Sequence, residues 1–202
     1  MTLNKGTNLK LSLLILRAQT GDHRAFTELY ALFKLSSFQY IRSLSSVSVD
    51  VVDDINQQVW LKVYQKISKL NSPFGFTKWL MVITRREVLA YLRKNKGEVI
   101  ADDFEALDLR ESYERESYEQ AFLAETDLRD FNWLTEKIYQ LPFEHKEVLL
   151  LHYWQELSCL DIAEIVQVPE GTVKSRLFKA RKSLASTLKR ERCKHTLLEK
   201  VN

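Results

Sequence analysis

Glycine and proline are scarce in this chain of 202 residues. There are 5 glycines and 3 prolines, where average usage is roughly 7% and 5%. A chain so poor in turn-formers does not build a meander of many short strands, and helix is the favoured class. Cysteine is scarcer still. Cys159 and Cys193 form no CxxC pair and no Cys/His ligand spacing, which excludes a disulfide framework and fits a reducing cytoplasm. His23, His145, His152 and His195 are scattered, so no metal site is expected. Gly-rich phosphate loops and the GxSxG and HExxH patterns are absent, and neither an enzyme nor a bound cofactor is expected. Long apolar runs are missing too: none approaches the ~20 residues of a membrane helix. The apolar stretch before Arg17-Ala18-Gln19 lacks a small-x-small cleavage pattern and reads as an amphipathic helix, not a signal peptide. No membrane insertion is expected.

Core-building residues and charge are both plentiful. Hydrophobic residues make up 45% of the chain and aromatics 11%, which argues against wholesale disorder. The net charge of +3 comes from 30 Lys+Arg and 27 Asp+Glu, and this near-balance hides a segregation. Residues 1–96 hold 15 basic and 6 acidic residues, residues 97–130 hold 3 and 12, and residues 131–202 hold 12 and 9. The three segments therefore carry +9, −9 and +3. From Gly171 to His195 there are 9 basic residues and only Glu191 is acidic. A charge run is by default a solvated helix face. Two basic blocks interleaved with aromatics also fit nucleic-acid binding. The acidic block has weak periodicity and reads as a linker.

The apolar pattern predicts helices and no strands. Leu9 to Ala18 is the first, ended near Gly21, and Asp22 is a plausible N-cap for the next. Phe26, Leu29, Tyr30 and Phe33 share one helical face, and Ile41, Leu44 and Val47 continue the pattern into a serine-rich break at 43–48. Asp53 or Asp54 is expected to open a third helix, with Ile55, Val59, Val63 and Ile67 along one side. Asn71-Ser72-Pro73-Phe74-Gly75 is a loop by composition. A long helix from Lys78 to Lys96 turns Trp79, Ile83 and Ala90 inward and adds positive charge. After the acidic segment come helices over 131–141, over 144–155, after Ser158, and from Glu170 through Leu188.

Ser158 to Leu184 is the most informative stretch. A helix-turn-helix needs a small residue where its helices touch, a tight turn four residues later and an apolar anchor six beyond that. Ala163, Gln167 and Val173 stand at those spacings. Ile162, Val166 and Val168 supply core, and Pro169 fits just ahead of the second helix. That helix presents Thr172, Lys174, Ser175, Arg176, Lys179, Arg181 and Lys182, residues suited to bases and phosphates. The turn position usually held by glycine is Gln167, so the turn adopts a left-handed conformation at a cost or takes another shape. The bland alternative is a helical hairpin with a solvated basic face.

Leu157 to Leu184, with Ile162-Ala163-Glu164-Ile165 and Gly171-Thr172-Val173-Lys174-Ser175-Arg176, resembles region 4 of bacterial sigma factors of the small extracytoplasmic-function (ECF) group. Leu141-Pro142 and Glu147 to Leu151 look like the start of that region. The first ninety-odd residues resemble region 2, through Ala18-Gln19-Thr20-Gly21-Asp22, Asp53-Asp54-Ile55-Asn56-Gln57-Gln58-Val59-Trp60 and Phe76-Thr77-Lys78-Trp79-Leu80. The resemblance implies an all-α chain of two small helical domains. A region 2 helical bundle (1–96) and a region 4 helix-turn-helix domain (131–202) are joined by an acidic linker (97–130), which by analogy runs through the RNA exit channel. It implies a sigma factor that binds core RNA polymerase and directs promoter-specific initiation in the cytoplasm.

By the same resemblance, Asp53, Asp54, Gln57 and Trp60 contact the β′ clamp helices, with core packing as the other reading of Trp60. Asn71, Phe74, Phe76, Lys78, Arg85, Arg86 and Arg93 face the −10 element. Thr172, Lys174, Ser175, Arg176, Lys179, Arg181 and Lys182 face the −35 duplex. Trp79 has a helical phase that favours the core. Implied partners are core polymerase (β′ clamp helices and β flap), promoter DNA and, as in many relatives, an anti-sigma factor; the free protein is expected to be a monomer. Arg86 stands where the family often has Asn, and Ala90 where it often has Asp, so no promoter sequence is inferred. Rival readings are a sigma-like polymerase-binding decoy, a LuxR-type regulator and an enzyme with a DNA-binding appendage.

Overall fold

A computed structural model describes residues 5–45, 47–95 and 128–198. Two helical units make up these residues. The first contains α1 (Lys5–Gln19), α2 (His23–Leu44), α3 (Val49–Lys66) and α4 (Phe76–Asn95), with single 3-10 turns at Ile67–Lys69 and Pro73–Gly75. The second contains α5 (Leu128–Tyr139), α6 (Phe143–Tyr153), α7 (Cys159–Val166) and α8 (Glu170–Leu198). The described residues include no strand. Most of the acidic linker lies outside the described residues, and its last three residues begin α5.

The α1–α2 junction shows how little sequence a turn needs. Gly21 adopts φ +89°, a left-handed conformation that glycine enters without the Cβ penalty. Asp22 then caps α2, accepting from the backbone N–H groups of Arg24 and Ala25 at 3.0 and 3.1 Å. The Arg17 guanidinium donates to its other oxygen at 3.0 and 2.7 Å. The amide of Ala25 first, and Arg17 next, hold this carboxyl below the usual range. Gln19 closes the other end of the packing. Its amide donates to the carbonyls of Ile67 and Leu70 at 3.1 and 2.7 Å, tying the end of α1 to the turn that follows α3.

The third helix starts earlier than the paired acids predicted. It begins at Val49 after Ser48, so Asp53 and Asp54 lie in its second turn, on its outer surface. Val52, Ile55, Asn56, Val59, Trp60 and Val63 are buried, a stripe at helical spacing. They pack in a core with Ile15, Leu29, Ile41, Leu80 and Met81. The two polar members of the stripe are satisfied by α2. The Trp60 indole N–H donates to Ser37 Oγ at 3.0 Å. Ser37 Oγ lies 2.7 Å from Asn56 Oδ1, and the Asn56 amide donates to the Lys34 carbonyl at 3.3 Å. On α4, Ile83 is buried as expected, but Ala90 is exposed: Val88 is the last buried residue before the helix outruns its packing partners.

In the second unit, α6 and α8 form the main packing. Val148, Leu150, Leu151, Ile162, Val173, Leu177 and Ala180 are all buried. Ser158 caps α7, accepting from the Asp161 amide at 3.1 Å. Gln167 ends α7 at φ 59°, ψ 45°, so of the two shapes open to this turn it takes the left-handed one. The turn closes through its own N–H and that of Val168, both donating to the Ala163 carbonyl. Pro169 precedes α8, and its carbonyl accepts from Thr172 and Val173 at 2.9 and 3.2 Å.

Because a side chain in the left-handed region costs roughly 1–2 kcal/mol, Gln167→Gly is expected to stabilise the second unit by about 1 kcal/mol, less the extra freedom glycine gains when unfolded. Gln167→Val is expected to destabilise it. Chemical denaturation followed by circular dichroism checks both, and equal midpoints for the three proteins would refute the account of the turn.

Candidate nucleic-acid interface

Three surfaces hold the residues singled out from the sequence. On α3, burial of the Ile55–Val59–Val63 stripe turns Asp53, Asp54 and Gln57 to solvent, with exposed Leu61 one turn past Gln57. Trp60 does not join them. It is 5% exposed, its ring meets Phe26 and Tyr30 edge-on at 6.1 and 5.1 Å, and its N–H is taken by Ser37. Of its two readings, core packing is the one its helical phase enforces. Leu61 escaped the sequence reading because an apolar residue beside polar contacts carries no motif of its own.

The second surface is the loop before α4 and that helix's outer face. Asn71 is exposed, and Phe74 projects with 77% of its surface open. Phe76, also assigned to DNA from the sequence, is buried and packs edge-on against Phe33 at 5.2 Å. It is the first residue of α4, and its ring fills the core at that end of the helix. Trp79 is half-buried, 6.1 Å from the Phe76 ring. Lys78 and Arg85 are half-buried, whereas Arg86 and Arg93 are exposed. Arg93 donates to the Leu89 carbonyl at 3.2 Å. Glu87 is taken by Lys62 at 2.6 Å, which leaves the arginines of this face as its dominant charge.

The third surface is α8. A helix turns about 100° per residue, so the buried line Val173–Leu177–Ala180 puts Ser175, Phe178, Lys179 and Lys182 on the opposite side, all exposed. Phe178, 64% exposed, was missed because only polar side chains were sought there; its phase relative to Val173 was the available signal. Lys174 is exposed and pairs with Glu170 at 2.7 Å, a partner that raises its pKa. Thr172 is half-buried, Ser175 Oγ donates to its carbonyl at 2.9 Å, and Arg181 Nε donates to the Leu177 carbonyl at 3.2 Å. Arg176 departs from the rest. Its side chain is 18% exposed and meets the Glu144 carboxylate at 2.6 Å.

On α6, burial and then the charges of Lys179 and Arg176 push the His145 pKa down, against Glu144. Next to it, burial lowers Lys146 from 10.5 to about 8, with its ammonium 5.4 Å from the centre of the Tyr139 ring. Among the described residues no group of His, Cys, Asp and Glu could hold a metal ion, and no helix is long and apolar enough to cross a membrane.

A two-unit helical chain with a basic helix-turn-helix has the architecture of a multi-domain DNA-reading protein, and comparison with known proteins tests that class. The sigma-70 region 2 model matches residues 38–98, and the sigma-70 region 4 model matches residues 131–184. The ECF RNA polymerase sigma factor SigW of Bacillus subtilis (strain 168) is 27% identical over 178 residues, 87% of this chain and 95% of the relative. The ECF RNA polymerase sigma-E factor of Escherichia coli (strain K12) is 28% identical over 178 residues, covering 85% and 90%.

Among solved structures, the sigma factor RpoE of Bartonella quintana, co-crystallised with the anti-sigma factor NepR, is similar with a TM-score of 0.61 and 25% identity, covering 81% of this chain and 96% of that one. CnrH in complex with the cytosolic domain of CnrY has a TM-score of 0.58 at 19% identity, covering 89% and 97%, and shares the fold. The chain belongs to the sigma-70 family, in its ECF group. Its function is that of a promoter-directing sigma factor of RNA polymerase, a family of initiation factors that are not enzymes.

The Lys146 environment makes a prediction about stability. The folded pKa of about 8 lies below the unfolded 10.5, so between those values the unfolded chain binds more protons and stability rises with pH. Below pH 8 the full burial penalty is present. Lys146→Met is expected to stabilise the second unit at pH 7 and to flatten the rise between pH 8 and 10.5. Denaturation midpoints across that range check this; parallel curves for both proteins would exclude the buried-lysine account.

Proposed function

We propose a division of labour among the three surfaces. The outward face of α3, with Asp53, Asp54, Gln57 and Leu61, docks on the clamp helices of the polymerase β′ subunit. The loop Asn71–Gly75 and α4 hold the melted −10 strand. Lys78, Arg85, Arg86 and Arg93 supply charge along the backbone, and the projecting Phe74 ring offers a stacking surface for a base. The helix α8 enters the major groove of the −35 duplex. Lys179 and Lys182, flanked by Lys174 and Arg181, neutralise phosphates; Ser175 and Thr172 reach polar edges, and Phe178 suits a thymine methyl.

The observation that carries this reading is the two-sidedness of α8. Its apolar side is buried at Val173, Leu177 and Ala180, and its opposite side holds cations, a hydroxyl and an open aromatic, all exposed. The exposure of Arg86 and Ala90 on α4 supports a −10 preference tuned away from that of relatives with Asn and Asp there. Polymerase contact also includes the β flap, through the second unit. An anti-sigma factor belongs to the same reading, supported by the solved relative held by one. The protein works in the cytoplasm beside the polymerase.

Reconstitution with core polymerase is the direct test. Promoter-specific run-off transcripts are expected only when this protein is added; polymerase binding without transcripts would replace the reading with that of a decoy. Asp54→Lys is expected to weaken core binding without moving the melting temperature, and unchanged core affinity would remove Asp54 from the interface. Lys179→Gln and Lys182→Gln are each expected to flatten the slope of log affinity against log salt by about 0.9. Phe178→Ala is expected to leave that slope alone and relax base preference at one position. Identical salt slopes and preferences for all three would mean that another face meets the DNA.

A further inference from the structure

Arg176 stands apart on the basic helix. It lies three residues after Val173 and four before Ala180, both buried, so it leaves α8 at the margin of the packed side, away from Ser175, Phe178 and Lys182. There the Glu144 carboxylate, itself 33% exposed, receives it at 2.6 Å. Glu144 belongs to the first turn of α6, where the helix dipole favours an anion. Its neighbour His145, held toward the neutral form by burial and by Lys179, is a weak competitor for that carboxylate. A charge-assisted contact in a half-dry site is stronger than an exposed ion pair, and breaking it strands a partly buried charge. The contrast is Lys174, whose bond to Glu170 lies in the open and is readily exchanged for a phosphate.

We infer that Glu144 is a specificity-determining positioning residue: it withholds Arg176 from the DNA backbone and ties the recognition helix to α6. This rests on the reading of α8 as the duplex-reading helix. The physical reason is that a phosphate contact strengthens binding to every sequence alike. Sequestering one guanidinium lowers non-specific affinity and leaves the groove-facing residues untouched. It also fixes the rotation of α8 through the residue that borders its reading face.

The test uses the full chain and two duplexes, one of mixed sequence and one enriched by the wild-type chain from a randomised pool, titrated at several salt concentrations. Glu144→Gln is expected to free Arg176, steepen the salt slope on the mixed duplex by about 0.9, and lower the enriched-to-mixed affinity ratio severalfold. Arg176→Gln is expected to leave the slope unchanged. The charge swap Glu144→Arg with Arg176→Glu is expected to restore the wild-type slope and ratio, with melting temperatures recorded throughout.

A slope flattened by about 0.9 in Arg176→Gln would mean that Arg176 already touches phosphate, and would overturn the proposal. Equal losses on both duplexes with unchanged slopes, tracking the melting temperature, would reduce the pair to a structural contact and also overturn it. A wild-type chain that enriches no sequence would remove the duplex-reading role itself, a failure visible before any variant is made, and the proposal would fall with it.

Discussion

Val173, Leu177 and Ala180 cannot be buried without turning Ser175, Phe178, Lys179 and Lys182 to water, because all seven share one helix. The same constraint acts on α3, where burial of Ile55, Val59 and Val63 commits Asp53, Asp54 and Gln57 to the outside. Each buried aliphatic side chain contributes about 1.5–3 kcal/mol, whereas an exposed ion pair contributes roughly 0–1 kcal/mol. Packing therefore sets the rotation of each helix, and the charged residues take the direction that remains.

Capping and turn chemistry then decide where each helix starts and stops. Gly21 and Asp22 do so between α1 and α2, and Ser158 and Gln167 do so around α7. Gln167 is the one place in the helix-turn-helix where a residue works against its own conformational preference. Two amides donating to the Ala163 carbonyl and the packing of Val173 behind the turn hold it there. The buried Ser37–Asn56–Trp60 group plays a comparable part in the first unit. It spends polar atoms in a core to lock α3 against α2, and it satisfies each of them.

The helical class, the capping residues and the apolar stripe of α3 were legible because they depend on neighbours within a turn or two. The helix-turn-helix was legible for the same reason, since Ala163, Gln167 and Val173 are set by local spacing. The start of α3 was misread because Asp53 and Asp54 resemble a first turn, yet Val52, which precedes them, is fully buried by a helix that reaches back to Val49. Ala90 was misplaced because a helix packs only as far as its neighbours reach, and Phe76 because the Phe33 ring of α2 meets it in the core; in both cases the deciding neighbours come from elsewhere in the chain.

What the sequence by itself determined is the periodicity: which residues share a face, where the turns fall, and a charge of +3 that is the remainder of +9, −9 and +3. What only the tertiary structure decided is which of those side chains are spent on contacts inside the protein and which stay at its surface. Trp60 is a core residue because Ser37 waits on another helix for its N–H. Arg176 is held at the margin of the packed side of α8 because Glu144 stands at the start of α6. Neither relation has a local signal, since both join residues far apart in the chain whose meeting depends on how separate helices pack.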